Sequence, residues 1–262
     1  MKVSRRPSLV RQILPPLAVF AIAIIAWDTY IQVTHIESYL LPRPSAVLRS
    51  LVHDRADLMA SLGWTALTAI AGFAASAVIG VVMAIILSAS NFLRRAFYPY
   101  TIFFQTVPII AIAPMLLFWI GAGLESVAVC AFVVSVFPVI ANALTGLRST
   151  DPALDDLFRL YGAGKLATLW KLRLPAALPH IFTGLRVAAG LSVIGAVVAE
   201  LLVGTIVERV GLGVRIVSAI KVSRIDLAFA SVLLASALGL AMFGAVNLTA
   251  SLALRRWHAS EQ

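Results

Sequence analysis

The sequence predicts an all-α membrane protein with about six transmembrane helices, organised as a single domain over residues 1–262. Hydrophobic residues make up 61% of the chain and charged residues only 13%, whereas soluble domains are about half apolar and about a quarter charged. The charged residues also leave long uninterrupted gaps. Because a helix needs roughly 20 apolar residues to cross the hydrocarbon core of a bilayer, each gap can hold one span.

Four gaps contain no charged residue: 58–93, 96–124, 126–147 and 227–254. Two further segments are apolar apart from Asp28 in the first and from Arg186 and Glu200 in the second. The predicted spans are 13–33, 62–87, 98–120, 126–146, 180–204 and 229–254.

The distribution of basic residues predicts the orientation of these spans. If the N- and C-termini are both cytoplasmic, fourteen of the 21 Lys and Arg residues lie inside and seven lie outside, in agreement with the positive-inside rule. The exception is the last outer loop, which carries Arg209, Arg215, Lys221 and Arg224. These cations could attract an anionic solute or an acidic partner, or they could be solvated loop charges.

The longest inner segment, residues 148–179, is predicted to form two short helices. Asp151 can cap a helix whose first residue is Pro152, and Gly162 interrupts that helix. A second, basic helix follows and is expected to end at Pro175. Since the first helix combines apolar and charged side chains, it could dock a partner protein or lie on the lipid surface.

A family motif is present in this inner segment. It is carried by Gly162, Leu172, Leu174 and Pro175. Their spacing resembles the cytoplasmic loop motif of ABC importer permeases. That motif begins with Glu-Ala-Ala, where this chain has Asp156, Leu157 and Phe158. The acidic character is kept, whereas bulkier side chains replace both alanines.

Further residues agree with this resemblance over about residues 38–250. They are Leu41, Pro42 and Pro44 after the first span, Pro108, Ala111, Pro114, Trp119, Gly121 and Gly123 in and after the third, Phe137 and Pro138 in the fourth, and Val198, Ala199, Glu200, Gly211, Leu212 and Gly213 in and after the fifth. As a set, they resemble permeases that import nitrate, sulfonates, taurine and related compounds. The resemblance implies a type I ABC importer permease fold in the cell inner membrane.

The resemblance also implies partners. Two copies of the chain, a homodimer, would form the pathway in the lipid bilayer. A cytoplasmic ABC ATPase dimer would drive transport, and an extracytoplasmic solute-binding protein would deliver the solute. The chain itself would be non-catalytic and without a cofactor. The implied ATPase-coupling loop comprises Asp155, Asp156, Leu157, Phe158, Arg159, Tyr161, Gly162, Ala163, Gly164, Leu174 and Pro175.

Three residues are candidates for the solute pathway or its gate. An ionisable residue inside a span suggests function, and Glu200 lies near one end of its span. It could instead be a helix-end carboxylate that faces water. Pro108 and Pro114 free backbone carbonyls inside the third span, which is tolerated beside a water-lined cavity or within a packed bundle. Pathway lining and a kinked packing helix are both open.

Other functions find little support in the sequence. The run around Gly162 and Lys165 lacks the first glycine and the Ser or Thr of a phosphate-binding loop, and the four histidines lack metal-ligand spacing. Basic and aromatic residues do not interleave on a polar segment, so nucleic acid is not an expected partner. A stand-alone secondary transporter or channel is the alternative, although such carriers usually show inverted repeats, and none is evident here.

Overall fold

A computed structural model describes residues 9–203 and 210–254 of the protein, and within these ranges the regular structure is helical. Helices pair their backbone groups internally, as a bilayer requires. The helices are α1 (Leu9–Thr34), α2 (Pro44–His53), α3 (Arg55–Ala89), α4 (Asn91–Thr106), α5 (Ile109–Ile120), α6 (Leu124–Arg148), α7 (Pro152–Leu160), α8 (Lys165–Thr168), a π-helical segment (Leu169–Arg173), α9 (Leu174–Val203), α10 (Leu212–Lys221) and α11 (Ile225–Leu254).

The predicted spans correspond to long helices. Among the described residues, five helices are long and apolar enough to cross a membrane, and a sixth span results if α4 and α5 are counted together. Helices α1, α3, α6, α9 and α11 contain the other five predicted spans as far as the described residues reach. The prediction of an all-α protein with about six spans is therefore confirmed.

The third predicted span is not one continuous helix. Helices α4 and α5 meet at an angle of 99°, and Pro108 lies between them rather than inside a helix. Proline disfavours the helical conformation of the residue before it, and Val107 is accordingly extended, with φ −75° and ψ 122°. Of the two interpretations left open for the prolines, a kinked helix does not fit Pro108, because the helix is interrupted there, whereas Pro114 does lie within α5.

The second helix of the inner segment does not end at Pro175. Helix α8, the π-helical segment and α9 run on as one apolar stretch, Lys165–Leu202. Pro175 has no N–H to donate to the preceding turn. Immediately before it, the Leu174 N–H donates to the Leu169 carbonyl, five residues back. The helix thus continues past Pro175 by means of a wider, π-helical turn and does not end there.

Helices α3, α6 and α9 form the centre of the bundle, and α6 packs extensively on both of the others. Small residues permit this close approach, as expected between helices in lipid. A Cβ added at Gly72 of α3 would lie 2.6 Å from the Ala131 Cβ of α6. A Cβ added at Gly195 of α9 would lie 2.9 Å from the Ala131 Cα. Ala131 of α6 therefore packs against a glycine of α3 on one side and a glycine of α9 on the other.

Replacing Gly72 by Val should destabilise the bundle by about 1–3 kcal/mol, because the new side chain must push α3 away from α6. Its Cβ would also lie 2.7 Å from the Ala128 carbonyl oxygen, which is backbone and cannot rotate away. Gly63→Val in the same helix is the matched control, since nothing lies within 4 Å of that position. Thermal unfolding of both purified variants in detergent checks this, and equal unfolding midpoints would contradict it.

Candidate functional site

Helix α7 begins and ends as its sequence predicts. The Asp151 side chain accepts a hydrogen bond of 2.9 Å from the Ala153 N–H, and Pro152 occupies the first turn. After Leu160 the chain turns at Gly162, where φ is +72°. The Gly162 N–H donates to the Arg159 carbonyl and the Ala163 N–H donates to the Phe158 carbonyl. These two bonds are those of a Schellman motif, in which glycine adopts the left-handed conformation.

The surface of α7 is apolar yet exposed. Leu160 is 85% exposed and Tyr161 is 83% exposed, and no residue of α7 is buried. Leu157 is also exposed, and Phe158 is half-buried. Exposed apolar side chains on a charged helix are typical of a surface that another molecule covers.

Asp155 fixes α7 to the start of the fifth span. The Arg173 guanidinium donates two hydrogen bonds, of 3.1 and 3.0 Å, from Nη2 to the two Asp155 carboxylate oxygens. Arg159 adds an ion pair of 3.4 Å within the helix. Because Arg173 directly precedes α9, a displacement of α7 would pull on that span. Arg173 was not among the predicted site residues, since eighteen residues separate it from Asp155 and no local pattern links them.

The remaining predicted loop residues divide between two environments. Asp156 is exposed on α7, whereas Gly164 caps the start of α8 with φ −68°. Leu174 packs against the buried cluster around Leu147 and is only half-exposed. Pro175 is likewise half-buried. The exposed part of the predicted site is thus α7 and its terminal turn. Leu174 and Pro175 are half-buried and belong to the start of α9.

Glu200 is buried, with 4% of its surface exposed, so the alternative of a helix-end carboxylate that faces water does not hold. The Thr65 hydroxyl of α3 lies 2.9 Å from both carboxylate oxygens, and the Gly213 N–H of α10 donates to Oε2 at 2.8 Å. The Leu212 N–H in turn donates to the Thr65 hydroxyl oxygen. Glu200 therefore joins α3, α9 and the start of α10.

The glycines before and within α10 make room for this carboxylate. A Cβ at Gly211 would lie 2.2 Å from the nearer Glu200 oxygen, and one at Gly213 would lie 2.5 Å from the Val197 carbonyl oxygen. Neither position can hold a larger residue without moving its neighbours. The Gly-Leu-Gly sequence thus allows the chain to pass directly over Glu200.

Pro108 and Pro114 do not join Glu200 in one site. Both prolines are exposed at the surface of the chain. Helix α5 packs on the core through other residues, among them the buried Ala113. The three predicted pathway residues therefore occupy different environments, with the prolines on a free surface and Glu200 in the interior.

Two of the four basic residues at the α10 end form ion pairs within the chain. Arg224 forms a bidentate pair with Asp54, at 3.0 and 2.7 Å, and contacts Asp226 at 3.2 Å. The hydrogen bond from Arg224 holds the pKa of Asp54 below its usual value. Arg215 donates to Ser61 and lies 3.4 Å from Asp57.

The other two basic residues differ from this pair. Lys221 is exposed, and Arg209 lies outside the described residues. Neither interpretation of the four cations, attraction of an anionic solute or acidic partner or solvated loop charges, took account of internal ion pairs. Arg215 and Arg224 form such pairs with acidic residues of α3, α11 and the α2–α3 connection.

Comparison with known protein families shows which family the chain belongs to. Residues 76–256 match the family described as the binding-protein-dependent transport system inner membrane component. The chain belongs to this family. It is therefore an ABC importer permease, a multi-pass protein of the inner membrane, and the resemblance seen in the sequence is confirmed.

Relatives of this permease cover most of its length. It is 31% identical to a "Probable ABC transporter permease protein" of Haemophilus influenzae, over 90% of this chain and 95% of that protein. It is 33% identical to the formylaminopyrimidine transport permease protein ThiX of Halalkalibacterium halodurans, over 72% and 76%. It is 29% identical to the taurine transport system permease protein TauC of Escherichia coli, over 75% and 74%.

A solved structure supports the fold of this permease. A crystal structure described as an amino acid ABC transporter with histidines aligns with 79% of this chain and 97% of its own, with a TM-score of 0.57. At 16% identity this likeness concerns the fold alone.

Proposed function

We propose that two copies of this permease form the pathway of an ABC importer, that a separate cytoplasmic ATPase dimer drives transport, and that an outer binding protein delivers the solute. The observation that carries this proposal is the exposed, apolar helix α7, which ends in a left-handed glycine turn and is tied by Asp155 and Arg173 to a membrane span. In this proposal, ATP hydrolysis belongs to the partner.

Coupling in this proposal passes through α7. Its exposed Leu157, Leu160 and Tyr161 would enter a groove of the ATPase, in the manner of an amphipathic helix bound by its apolar face. When the groove moves, α7 moves with it, and the Asp155–Arg173 pair transmits the displacement to α9. The same span carries Glu200 near its other end, so one helix connects the ATPase side with the buried hydrogen-bond cluster at the opposite end.

The pathway assignments are a further part of the proposal. We assign Glu200 a positioning role, in which it holds α10 beside the pathway rather than touching solute, because its carboxylate is already occupied by Thr65 and Gly213. Pro108 and Pro114 lie on a surface that the chain itself leaves uncovered. In a homodimer that surface can line the space between the two copies.

The solute is proposed to be small and anionic. Relatives named for nitrate and bicarbonate import support a small anion, and TauC is named for taurine, a sulfonate. Relatives named for formylaminopyrimidine and riboflavin transport belong to other solute classes. Since Arg215 and Arg224 are neutralised within the chain, the anion preference would reside in Lys221, Arg209 or the binding protein.

The proposed orientation places both termini and α7 in the cytoplasm. Reporter fusions after Arg11, Arg95, Thr168 and Arg256 should report the cytoplasm, and fusions after Arg49 and Arg215 should report the outside, since the basic residues favour this arrangement two to one. The decisive fusion is the one after Thr168. An outside signal from that fusion would contradict the proposed orientation, because α7 could not then meet a cytoplasmic ATPase.

Copurification distinguishes this proposal from a stand-alone carrier or channel. The tagged permease, isolated from its native membrane, should retain an ATPase subunit in an equal number of copies, and uptake should require that subunit. Deletion of the ATPase gene is the matching test in cells. Undiminished uptake in the deletion strain would favour the secondary transporter or channel.

A further inference from the structure

A cavity of about 940 Å³ lies at the α7 end of the bundle, between the ends of α3 and α6 and the segment that carries α7 and α8. Ile85 and Ala89 contribute from α3, Leu147 and Arg148 from α6, and Lys165 from the start of α8. The hydrophobic stretches of α3 and α6 end here, at Ala89 and Arg148. The cavity therefore sits at the depth where these spans leave the bilayer.

The cavity is strongly basic. Its lining includes four cationic residues, Arg148, Arg159, Lys165 and Arg173, and the single acid Asp155. Asp155 pairs with both Arg159 and Arg173. Arg148 and Lys165 form no ion pair with any residue in the described ranges. Two cations from different elements thus line the cavity without an acidic partner in the described part of the chain.

An unpaired hydroxyl strengthens this interpretation. The Thr150 side chain lines the cavity, and its buried Oγ1 has no hydrogen-bond partner within the described part of the chain. A buried hydroxyl without a partner carries a free-energy cost that a ligand oxygen would relieve. Thr150 lies two residues beyond Arg148, so the unpaired hydroxyl and one of the cations belong to the same short segment of the lining.

Part of the cavity wall is apolar. Ile85, Leu147 and Leu169 contribute to it, and Leu147 belongs to the buried core. A cavity lined by both cations and aliphatic side chains suits a ligand with a charged head and an apolar tail. Basic pockets between membrane helices bind phospholipid head groups by the same principle.

We propose that this cavity binds the phosphate of an anionic phospholipid such as phosphatidylglycerol. Arg148 and Lys165 supply charge-assisted hydrogen bonds to the phosphate oxygens, and the Thr150 hydroxyl donates a third. The start of the acyl chains lies along the apolar wall. Because Arg173 pairs with Asp155 in the same cavity, the bound lipid contacts the ion pair that ties α7 to the segment directly before α9.

Native mass spectrometry of the delipidated full-length permease tests this site. The pocket variant combines Arg148→Gln with Lys165→Gln. The charge-matched control combines Arg49→Gln with Lys221→Gln, which removes one arginine and one lysine from the α2 and α10 end of the bundle. Removing one cation near a membrane surface weakens binding of an anionic lipid about fivefold, so the pocket variant should bind phosphatidylglycerol about 25-fold more weakly at one site. The control and the wild type should agree within about twofold, because the control cations lie at the other end of the bundle and a charge is screened beyond about one Debye length. Phosphatidylcholine should not distinguish the proteins.

Equal loss in the control variant, or no loss in the pocket variant, would overturn the proposal. Competition on the wild-type protein separates the possible sources of phosphate and does not depend on how the variants fold. Retention of the lipid in a large excess of glycerol 3-phosphate supports a membrane lipid, whereas displacement would assign the cavity to a soluble phosphate ester. Exclusion of the lipid from permease bound to its ATPase would assign the cavity to that partner instead. Since lipid binding rather than transport is measured, failure here leaves the proposed function untouched.

Discussion

Replacing Gly162 by Val is expected to abolish uptake while the permease still inserts into the membrane. Gly162 adopts φ +72° in the turn that ends α7. A β-branched residue is a strong outlier in that conformation, and the left-handed region costs any L-residue roughly 1–2 kcal/mol. The turn would open, and the exposed Leu160 and Tyr161 would no longer be presented in one orientation. The membrane spans do not contact this position, since a Cβ there meets nothing within 4 Å.

The matched control for this prediction is Gly164→Val. Gly164 is equally uncrowded, but its φ of −68° and ψ of 160° suit any residue. Reconstituted with the ATPase and binding protein, the control should retain most solute-stimulated ATP hydrolysis, and Gly162→Val should lose it. Gly162→Asn should recover part of the activity, because asparagine tolerates the left-handed region better. Full uptake by a well-expressed Gly162→Val protein would show that α7 is not the coupling element.

Replacing Glu200 by Ala is expected to lower both stability and transport. The change leaves the Thr65 hydroxyl and the Gly213 N–H without their buried acceptor. Each lost partner costs about 1–3 kcal/mol in a buried environment, so the total is about 2–6 kcal/mol. Helix α10 would detach from α3 and α9 at its first turn. A large fall in the thermal unfolding midpoint, together with loss of uptake, is the expected result.

One further variant and a control distinguish a positioning role of Glu200 from a role of its charge. Glu200→Gln keeps one acceptor oxygen and should fall between wild type and Glu200→Ala in unfolding midpoint. Glu37→Ala serves as the control, since Glu37 is an exposed acid in the α1–α2 connection. If Glu200→Gln unfolds like wild type yet loses all transport, Glu200 has a role in the pathway beyond holding α10 in place.

Local features of the chain were readable without the structure. Charge-free gaps located the spans, because lipid excludes unpaired charge over a fixed length. Asp151 and Pro152 marked the start of α7 and Gly162 marked its end, because capping and left-handed turns depend on the residues at the helix ends themselves. The family motif fell on the same residues, so the candidate coupling helix was largely predictable.

The partners of the charged side chains were decided only by the tertiary structure. Glu200 near a helix end suggested exposure to water, yet folding brings Thr65, 135 residues away, against it. Arg224 looked like a free outer cation, yet it pairs with Asp54, 170 residues away. The sequence by itself determined where most spans lie and where α7 begins and ends, since those properties depend on neighbouring residues. The break at Pro108 and the continuation of the helix past Pro175 were seen only in the structure. Whether a charge meets water, an opposite charge or a buried donor depends on which distant segments pack around it, and only the folded arrangement of α3, α9, α10 and α11 decides that.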